Sequence, residues 1–390
     1  MLRKVIIGHS ILFVGLFCTV PFVSLHAQQP PLWGQLKQGP HQVGFRSSVV
    51  FDSSRTLSDG RQARPVQVSQ WYPAQPHTGS KLGYRDYFLL SATEKTSEPI
   101  SEELAKESIA SYKKLLHENG VEGDAMEKWF AAECAASWNG PPANGTFPVV
   151  LVAQGMFHSA HHQVVLSEFI ASYGFVVLTT PSQARISGPM SSDEDVAPHA
   201  EVHARDLLCA LKWAEQNPHA DARNVGLVGH SFGARSAFLL ALRESRVKAL
   251  VSLDGGIANK IGREWIHKIS DFNPANFKVP ILHFYQDIES FVVPDFELIE
   301  SMKGVPRTLI RMPGMRHMQF SSIGMVSAFI PGFAPSMDRK LGIQCEAIAN
   351  YTLTFLIANL KNDRQAWRKL GTLQKDHGYD ENVLVLKNLP

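Results

Sequence analysis

The sequence contains little cysteine, only four residues in 390. Cys18 lies in an apolar N-terminal segment, so Cys134, Cys209 and Cys345 remain for the body of the chain. An odd number allows at most one disulfide bond and leaves at least one free thiol. Cys209 falls in an apolar helical pattern, and we expect it to be a buried packing residue. A bond between Cys134 and Cys345 stays open, because a sequence gives no distance between them.

The chain also lacks an excess of charge of either sign. Its formal net charge is +2, and 19% of its residues are charged. Without a block of like charges or a basic stretch, nucleic acid is excluded as the main partner. Neither a Walker-type phosphate loop nor a dinucleotide-binding loop is present. We therefore expect no cofactor.

One apolar run stands at the N-terminus. Arg3 and Lys4 precede the segment ILFVGLFCTV at residues 11–20, and a polar exit ends at the small residue Ala27. This order is typical of a secretory signal peptide. The alternative is a membrane anchor, but the run is interrupted and short for a span of about 20 apolar residues. We predict a signal peptide at residues 1–27, a mature domain at 28–390, and export to the periplasm or the medium.

The body of the chain alternates between apolar strands and helical patterns, with 44% hydrophobic residues overall. The later strands are almost continuously apolar, which is typical of parallel strands covered on both faces. We predict a single α/β domain whose mostly parallel, eight-stranded sheet is flanked by helices in a doubly wound arrangement. The eight predicted strands are residues 42–55, 64–74, 147–155, 175–181, 224–231, 247–256, 279–287 and 307–314.

Residues 84–146 interrupt this alternation after the second strand. They are polar and helical, most clearly in EELAKESIASYKKLLHENG at residues 102–120. We predict a helical, cap-like insert over the edge of the sheet, which either shapes substrate access or only decorates the surface. The apolar segment 323–337 either lines an acyl pocket or packs under the predicted last helix, residues 345–360.

A short motif carries the chemistry. The segment GHSFG at residues 229–233 fits G-x-S-x-G, which holds a serine on a strained turn between a strand and a helix. The motif alone is common by chance, but here an apolar strand precedes it and a helical pattern follows it. Ser231 is therefore the predicted nucleophile.

A serine needs a base to take its proton, and in this sheet type the chain order is serine, acid, histidine. His317 follows the last predicted strand, where a base can reach back over Ser231. His283 lies inside an apolar strand and is expected to be a core residue with satisfied hydrogen bonds. His230, the variable residue of the motif, is expected to point elsewhere.

Two carboxylates qualify as the acid that orients the base. Asp254 and Asp287 each follow the carboxyl end of an apolar strand, where catalytic groups of open α/β sheets gather. The later strand is the commoner position and favours Asp287, whereas the two glycines after Asp254 permit a sharp turn at the site. The residues alone leave both open.

The oxyanion of an attacked ester needs two N–H donors. The amide of Phe232, directly after the serine, is one candidate. The amide of Met156, in the loop AQGMFHS after the third predicted strand, is the other, with Gly155 allowing a close backbone approach.

A group of histidines, His158, His161 and His162, raises the question of a metal site. A pair at this spacing on a helix can hold zinc, but no third ligand has suitable spacing. We predict no metal and assign these residues to a solvated helix start beside the site.

At these residues the chain resembles the platelet-activating-factor acetylhydrolase (group VII phospholipase A2) branch of the α/β hydrolases, and especially exported bacterial relatives described as dienelactone-hydrolase-like. The resemblance is carried by GPHQVGF, RPVQVSQWYPA, FPVVLVAQGMF, VGLVGHSFGARSA and VSLDGG. It implies the α/β-hydrolase fold, Asp254 as the acid with Asp287 as the fallback, and an oxyanion amide at Met156. The chain departs from that family at Gln154, where histidine is usual, and at Ala234, where glycine is common.

We therefore predict a serine carboxylic-ester hydrolase that acts through an acyl-enzyme on short-chain acyl esters or on phospholipids such as platelet-activating factor. Its partner is a small-molecule or lipid ester, with transient contact to a membrane surface, and the oligomeric state is not indicated. The alternatives are a serine peptidase or polyester hydrolase of the same fold, and a non-catalytic binding homologue. The last would normally lack the serine or the histidine, and both are present.

Overall fold

The computed structural model describes residues 29–56, 63–94, 100–182, 196–334 and 338–389. The predicted signal peptide lies outside the described residues, so export stays a prediction. The described strands are β1 (Gln42–Thr56), β2 (Ala63–Ala74), β3 (Lys81–Gly83), β4 (Glu133–Trp138), β5 (Phe147–Ala153), β6 (Val176–Thr180), β7 (Ala220–His230), β8 (Val247–Leu253), β9 (Ile281–Tyr285), β10 (Arg307–Arg311) and β11 (Val385–Leu389).

The described helices lie between and around these strands. They are α1 (Tyr84–Leu90), α2 (Glu102–Glu118), α3 (Gly123–Ala131), α4 (Val164–Ser172), α5 (Val196–Ala214), α6 (Gly233–Arg243), α7 (Lys260–Ile266), α8 (Glu297–Ser301), α9 (Ser322–Phe329), α10 (Arg339–Leu360) and α11 (Arg364–Asp376).

All described strands belong to one sheet in the order β11-β10-β9-β8-β7-β5-β6-β2-β1-β4-β3. The central strands from β10 to β6 pair in parallel, whereas β1 with β2 and β2 with β6 are antiparallel. The eight predicted strands are all present, and the described chain adds three more, β3, β4 and β11. These three are short and lie at or near the two edges of the sheet, so their sequences lack the long apolar run that marks a central strand.

The centre of the sheet is covered on both faces. Leu227 and Leu250 pack in the core layer under α5 and α6, while the next residues, Val228 and Val251, pack in the opposite layer with α4 and α10. All four side chains are fully buried. Because successive side chains of a strand point to opposite faces, burial of both faces explains the nearly continuous apolar strands.

The insert is fastened to the sheet by a buried carboxylate. The Glu168 side chain on α4 accepts hydrogen bonds from the amides of Ala135 (2.9 Å) and Ala136 (3.0 Å) on β4. It also accepts one from the hydroxyl of Tyr87 on α1, at 2.9 Å. Residues 84–146, predicted to be helical, contain α1 to α3 and also contribute β4 to the sheet.

The C-terminal part of the chain contributes to the core. α9 packs against α10, so the described part of the apolar segment 323–337 lies under the last long helix, and residues 335–337 lie outside the described residues. Among the described helices, α10 is long and apolar enough to span a membrane, but 83% of its apolar window is buried inside the fold. Burial of this kind is expected of a core helix.

The three described cysteines are free thiols. Cys134 and Cys345 are both buried and are not bonded to each other. Cys209 was expected to be buried, but it is only partly buried, although it packs against the core layer under α5 and α6.

Candidate functional site

The serine motif forms the sharp turn between β7 and α6. Ser231 has a φ of +53°, in the left-handed region that non-glycine residues seldom adopt. A Cβ atom on Gly229 would lie 2.5 Å from the Cα of Ala234, and one on Gly233 would lie 2.1 Å from the carbonyl oxygen of Ala153. Both motif glycines are therefore required by close backbone contacts, which hold the serine at the tip of the turn.

The turn is hydrogen-bonded to the adjacent strand β8. The amide of Ser231 donates to the carbonyl of Leu253 at 3.1 Å, and the amide of Gly256 donates to the carbonyl of Ser231 at 2.8 Å. Asp254 lies between these two contacts, with a φ of +42°. The backbone thus places the serine and this aspartate side by side at the carboxyl edge of the sheet.

The structure brings Ser231, His317 and Asp254 together. Ser231 Oγ lies 2.7 Å from His317 Nε2, and His317 Nδ1 lies 2.6 Å from Asp254 Oδ2. His317 begins a short 3₁₀ turn beyond β10, after Gly314, whose φ of +80° lets the chain reverse. A neutral imidazole in this position donates its Nδ1–H to the carboxylate and accepts the serine hydroxyl proton at Nε2.

The fallback acid is used elsewhere. Asp287 Oδ2 lies 2.7 Å from Arg311 Nη1 in a partly exposed ion pair. Of the two candidate carboxylates, Asp254 is therefore the one that contacts His317.

Two residues that contact the candidate acid Asp254 or the candidate base His317 were missed in the sequence. The amide of Gln286 donates to Asp254 Oδ1 at 3.2 Å, and the Gln286 side-chain oxygen accepts from the amide of Glu289 at 2.7 Å. Glu289 Oε2 in turn accepts from the amide of His317 at 2.5 Å. Their position just beyond β9, at the same sheet edge as the serine, is the signal that could have pointed to them.

Of the two predictions made for other histidines near the motif, one is confirmed and one is wrong. His283 is buried, with Nδ1 2.9 Å from Ser252 Oγ, so the prediction of a satisfied core residue is confirmed. Burial lowers the pKa of His283 to about 3. The prediction that His230 points away from the site is wrong, since its Nε2 lies 3.2 Å from the carbonyl oxygen of His317. The motif pattern fixes only the glycines and the serine, and it carries no information on this side chain.

Met156 and Phe232 line the same cleft as Ser231, with a volume of about 450 Å³. Phe232 is the residue before the first turn of α6, and Met156 follows Gly155 in the loop after β5. A Cβ on Gly155 would lie 2.7 Å from His158 Nδ1 and 2.9 Å from His230 Nδ1. The close approach of these two imidazoles therefore leaves no room for a side chain at position 155. The sequence did not suggest this reason for the glycine.

The three histidines expected at a solvated helix start are instead packed together and withdrawn from solvent, with His161 fully buried, because their rings stack on one another and on neighbouring side chains. The rings of His158 and His162 lie 3.7 Å apart and nearly parallel, and His161 Nε2 lies 2.8 Å from the hydroxyl of Tyr112. Burial, with the neighbouring histidines, lowers the pKa of all three well below the ordinary value, so they are neutral at neutral pH. Within the described ranges, no three metal-ligating side chains converge as an ion site.

Exposed apolar side chains surround the mouth of the cleft. Phe291 is 67% exposed, although its ring lies edge-on to His317 at 5.4 Å. Ile261 and Met318 also line the cleft and are exposed. Apolar side chains are thus exposed to solvent around the serine and the histidine, and we call Phe291, Ile261 and Met318 the apolar rim.

Comparisons with known proteins place these features in context. Residues 135–283 match the family model described as Chlorophyllase, a segment that contains Ser231 and Asp254 but not His317. Chlorophyllase-1 of Citrus sinensis is 30% identical over 145 residues, which are 36% of this chain and 42% of that protein. Chlorophyllase-1 of Arabidopsis thaliana is 27% identical over 157 residues, 36% of this chain and 45% of that protein. The chain thus matches less than half the length of these relatives.

A solved structure extends the likeness to most of the chain. The ferulic acid esterase from Streptomyces cinnamoneus superposes with a TM-score of 0.59 at 19% identity, covering 83% of this chain and 92% of that chain. The predicted fold is confirmed, whereas the platelet-activating-factor acetylhydrolases stay a resemblance. The chain has an α/β-hydrolase fold, and its residues 135–283 are similar to chlorophyllases.

Proposed function

We propose that the protein is a serine hydrolase of carboxylic esters. Ser231 Oγ attacks the ester carbonyl carbon while His317 Nε2 takes the hydroxyl proton. Asp254 orients His317 and stabilises its charged form. The amides of Phe232 and Met156 donate hydrogen bonds to the oxyanion.

Three proton transfers complete the reaction. The protonated His317 gives its proton to the leaving alcohol, and an acyl-enzyme remains on Ser231. Water then attacks the acyl carbon and loses a proton to His317. The proton returns to Ser231 Oγ as the carboxylic acid leaves, so the enzyme ends in its starting state.

The observation that carries the proposal is the continuous contact from Ser231 Oγ through His317 to Asp254, at 2.7 and 2.6 Å. The serine needs this base, and the base needs this carboxylate. The names of the similar proteins, chlorophyllase and ferulic acid esterase, favour ester hydrolysis over peptide hydrolysis.

We also propose that the ester carries a substantial apolar group. Solvent exposure of the apolar rim is unfavourable unless a ligand covers it, and Phe291 lies directly against the base. A lipid ester of the platelet-activating-factor type, bound during transient contact with a membrane surface, would satisfy this rim.

The central test is Ser231→Ala, assayed with p-nitrophenyl acetate and with p-nitrophenyl esters of graded chain length. We expect kcat/KM to fall by at least about 10³-fold, because no nucleophile remains. Ser236→Ala on the same helix is the matched control and should keep native activity. Retained activity in Ser231→Ala would contradict the serine mechanism.

Further assays on the native chain and on Ser231→Ala distinguish the esterase from a binding homologue and from a peptidase. A fluorophosphonate probe should label the native chain and not Ser231→Ala, whereas a binding homologue would stay unlabelled. A peptidase would also cleave peptide anilides, whereas we expect no measurable cleavage of these by an esterase. In series of esters lengthened on the acyl side or on the alcohol side, a kcat/KM that rises in neither series would contradict the proposed role of the apolar rim.

A further inference from the structure

The variable residue of the serine motif has an unassigned contact with the loop that carries the base. His230 is the last residue of β7 and 1% exposed. Its Nε2 lies 3.2 Å from the backbone carbonyl oxygen of His317, and the two rings lie 5.1 Å apart. A side chain directly before the proposed nucleophile thus contacts the backbone of the proposed base.

The contact fixes the tautomer of His230. Burial, with His317 and His158 nearby, lowers the pKa of His230 well below the ordinary value, so the ring is neutral. A carbonyl oxygen can only accept, so the one ring proton must be on Nε2. Nδ1 is buried and has no hydrogen-bond partner among the described residues. The bond to His317 is therefore the polar anchor of this ring.

The base is held on both sides of its Cα atom. Its amide donates to Glu289 Oε2 at 2.5 Å, and its carbonyl accepts from His230. Glu289 ties the base loop to the segment after β9, whereas His230 ties it to the strand that carries the serine. Of these two contacts, only the one from His230 links the backbone of His317 directly to the residue that precedes Ser231.

We propose that His230 is a positioning residue for the reaction at Ser231. Its Nε2–H holds the His317 backbone so that Nε2 of the base stays within 2.7 Å of Ser231 Oγ. This inference rests on the proposed serine chemistry. His230 itself exchanges no proton with the substrate, because it is buried and bonded to a carbonyl.

Three substitutions of His230 test this role. His230→Gln places an amide N–H near the position of the imidazole Nε2, whereas in His230→Asn the amide ends near the position of Nδ1 and cannot reach the carbonyl. His230→Leu removes the donor and keeps an apolar side chain. We expect kcat to fall about 10- to 100-fold in the Asn and Leu variants, as for a misplaced catalytic group, with KM changed less than about threefold. The Gln variant should recover most of kcat.

Thermal melting of each variant separates positioning from folding. If His230→Leu fails to fold, the comparison of Gln with Asn decides, since both keep a polar side chain. Equal kcat in the Gln and Asn variants, or native kcat in His230→Asn, would overturn the proposal.

A spectroscopic readout does not depend on which reaction the site performs. The Nδ1 proton of His317, hydrogen-bonded to Asp254, should give a downfield proton resonance in the native chain and in His230→Gln. We expect it to broaden or shift in His230→Asn. An unchanged resonance in His230→Asn would refute the positioning role even if Ser231→Ala had already refuted the ester chemistry.

Discussion

At the scale of single residues, strained backbone conformations with positive φ values occur in the candidate site. Among the described non-glycine residues, positive φ values occur at Asn139, Phe157, Ser231, Asp254 and Asn362. Ser231 and Asp254 line the cleft, and Phe157 adjoins Met156. Such conformations cost free energy and persist where the surroundings hold them. The strain aims the serine hydroxyl and the aspartate carboxylate at one imidazole.

The assignment of the acid can be tested at this scale. Asp254→Asn should lower kcat by about 10³- to 10⁴-fold, because an amide no longer fixes the donating Nδ1 tautomer of His317. Asp287→Asn removes only a partly exposed ion pair with Arg311, which contributes about 0–1 kcal/mol to stability, so its kcat should stay near native. Steady-state kinetics with one ester decides, and the reverse ranking would move the acid to Asp287.

The same residues show which parts of the candidate site could be predicted from the sequence. Ser231 and His317 could be predicted, because the motif and the chain order are local patterns. Asp254 and Asp287 could not be separated from physics alone, since both follow a strand at the same sheet edge. The roles of His230 and Glu289 depend on side-chain direction and on contacts between distant loops, which no local pattern carries.

At the scale of elements, the insert is joined to the sheet through the buried carboxylate of Glu168. Burial raises the pKa of Glu168 above its ordinary value, and the amides of Ala135 and Ala136 partly offset that effect. The sequence predicted that the insert is helical from its polar, helix-forming composition, most clearly at residues 102–120. It did not predict β4, because ECAASW is short and its pairing with β1 depends on a partner about 90 residues away.

Glu168→Leu tests this attachment. Removing the acceptor leaves the amides of Ala135 and Ala136 buried without partners, at a cost of about 1–3 kcal/mol each. Urea unfolding should show that loss, and limited proteolysis should cut the insert faster. Glu168→Gln keeps one carbonyl acceptor and should lose less, and Glu133→Gln, an exposed change on the same strand, should match the native chain. Equal stability of the Leu variant and the native chain would contradict the role of Glu168.

At the scale of the whole molecule, burial of both sheet faces also buries imidazoles. His283 on β9 and His203 on α5 are fully buried, and burial lowers their pKa values to about 3 and about 4. Unfolding restores an ordinary pKa of about 6.5. Between those values the unfolded chain binds more protons than the folded chain, so stability falls as the pH falls.

His283→Asn isolates one of these groups. An asparagine can keep a hydrogen bond to Ser252 but does not titrate, so the free energy of unfolding should depend less on pH between about 3 and 6.5. The difference in slope should reach about 1.4 kcal/mol per pH unit. Denaturant unfolding at several pH values measures it, with the exposed His117→Asn as the control. Parallel pH profiles for native and His283→Asn chains would show that His283 does not contribute.

Hydrogen bonds join the serine turn to the end of β8 and to the residues just after it, so the two parts of the site are held differently. Ser231 and Asp254 are held at the centre of the sheet by backbone hydrogen bonds, whereas His317 lies on a loop held by contacts with Glu289 and His230. Thermal opening of this loop would separate the proposed base from the proposed nucleophile while the sheet and the helices on its two faces stayed folded. Loss of turnover on gentle heating should therefore precede global melting.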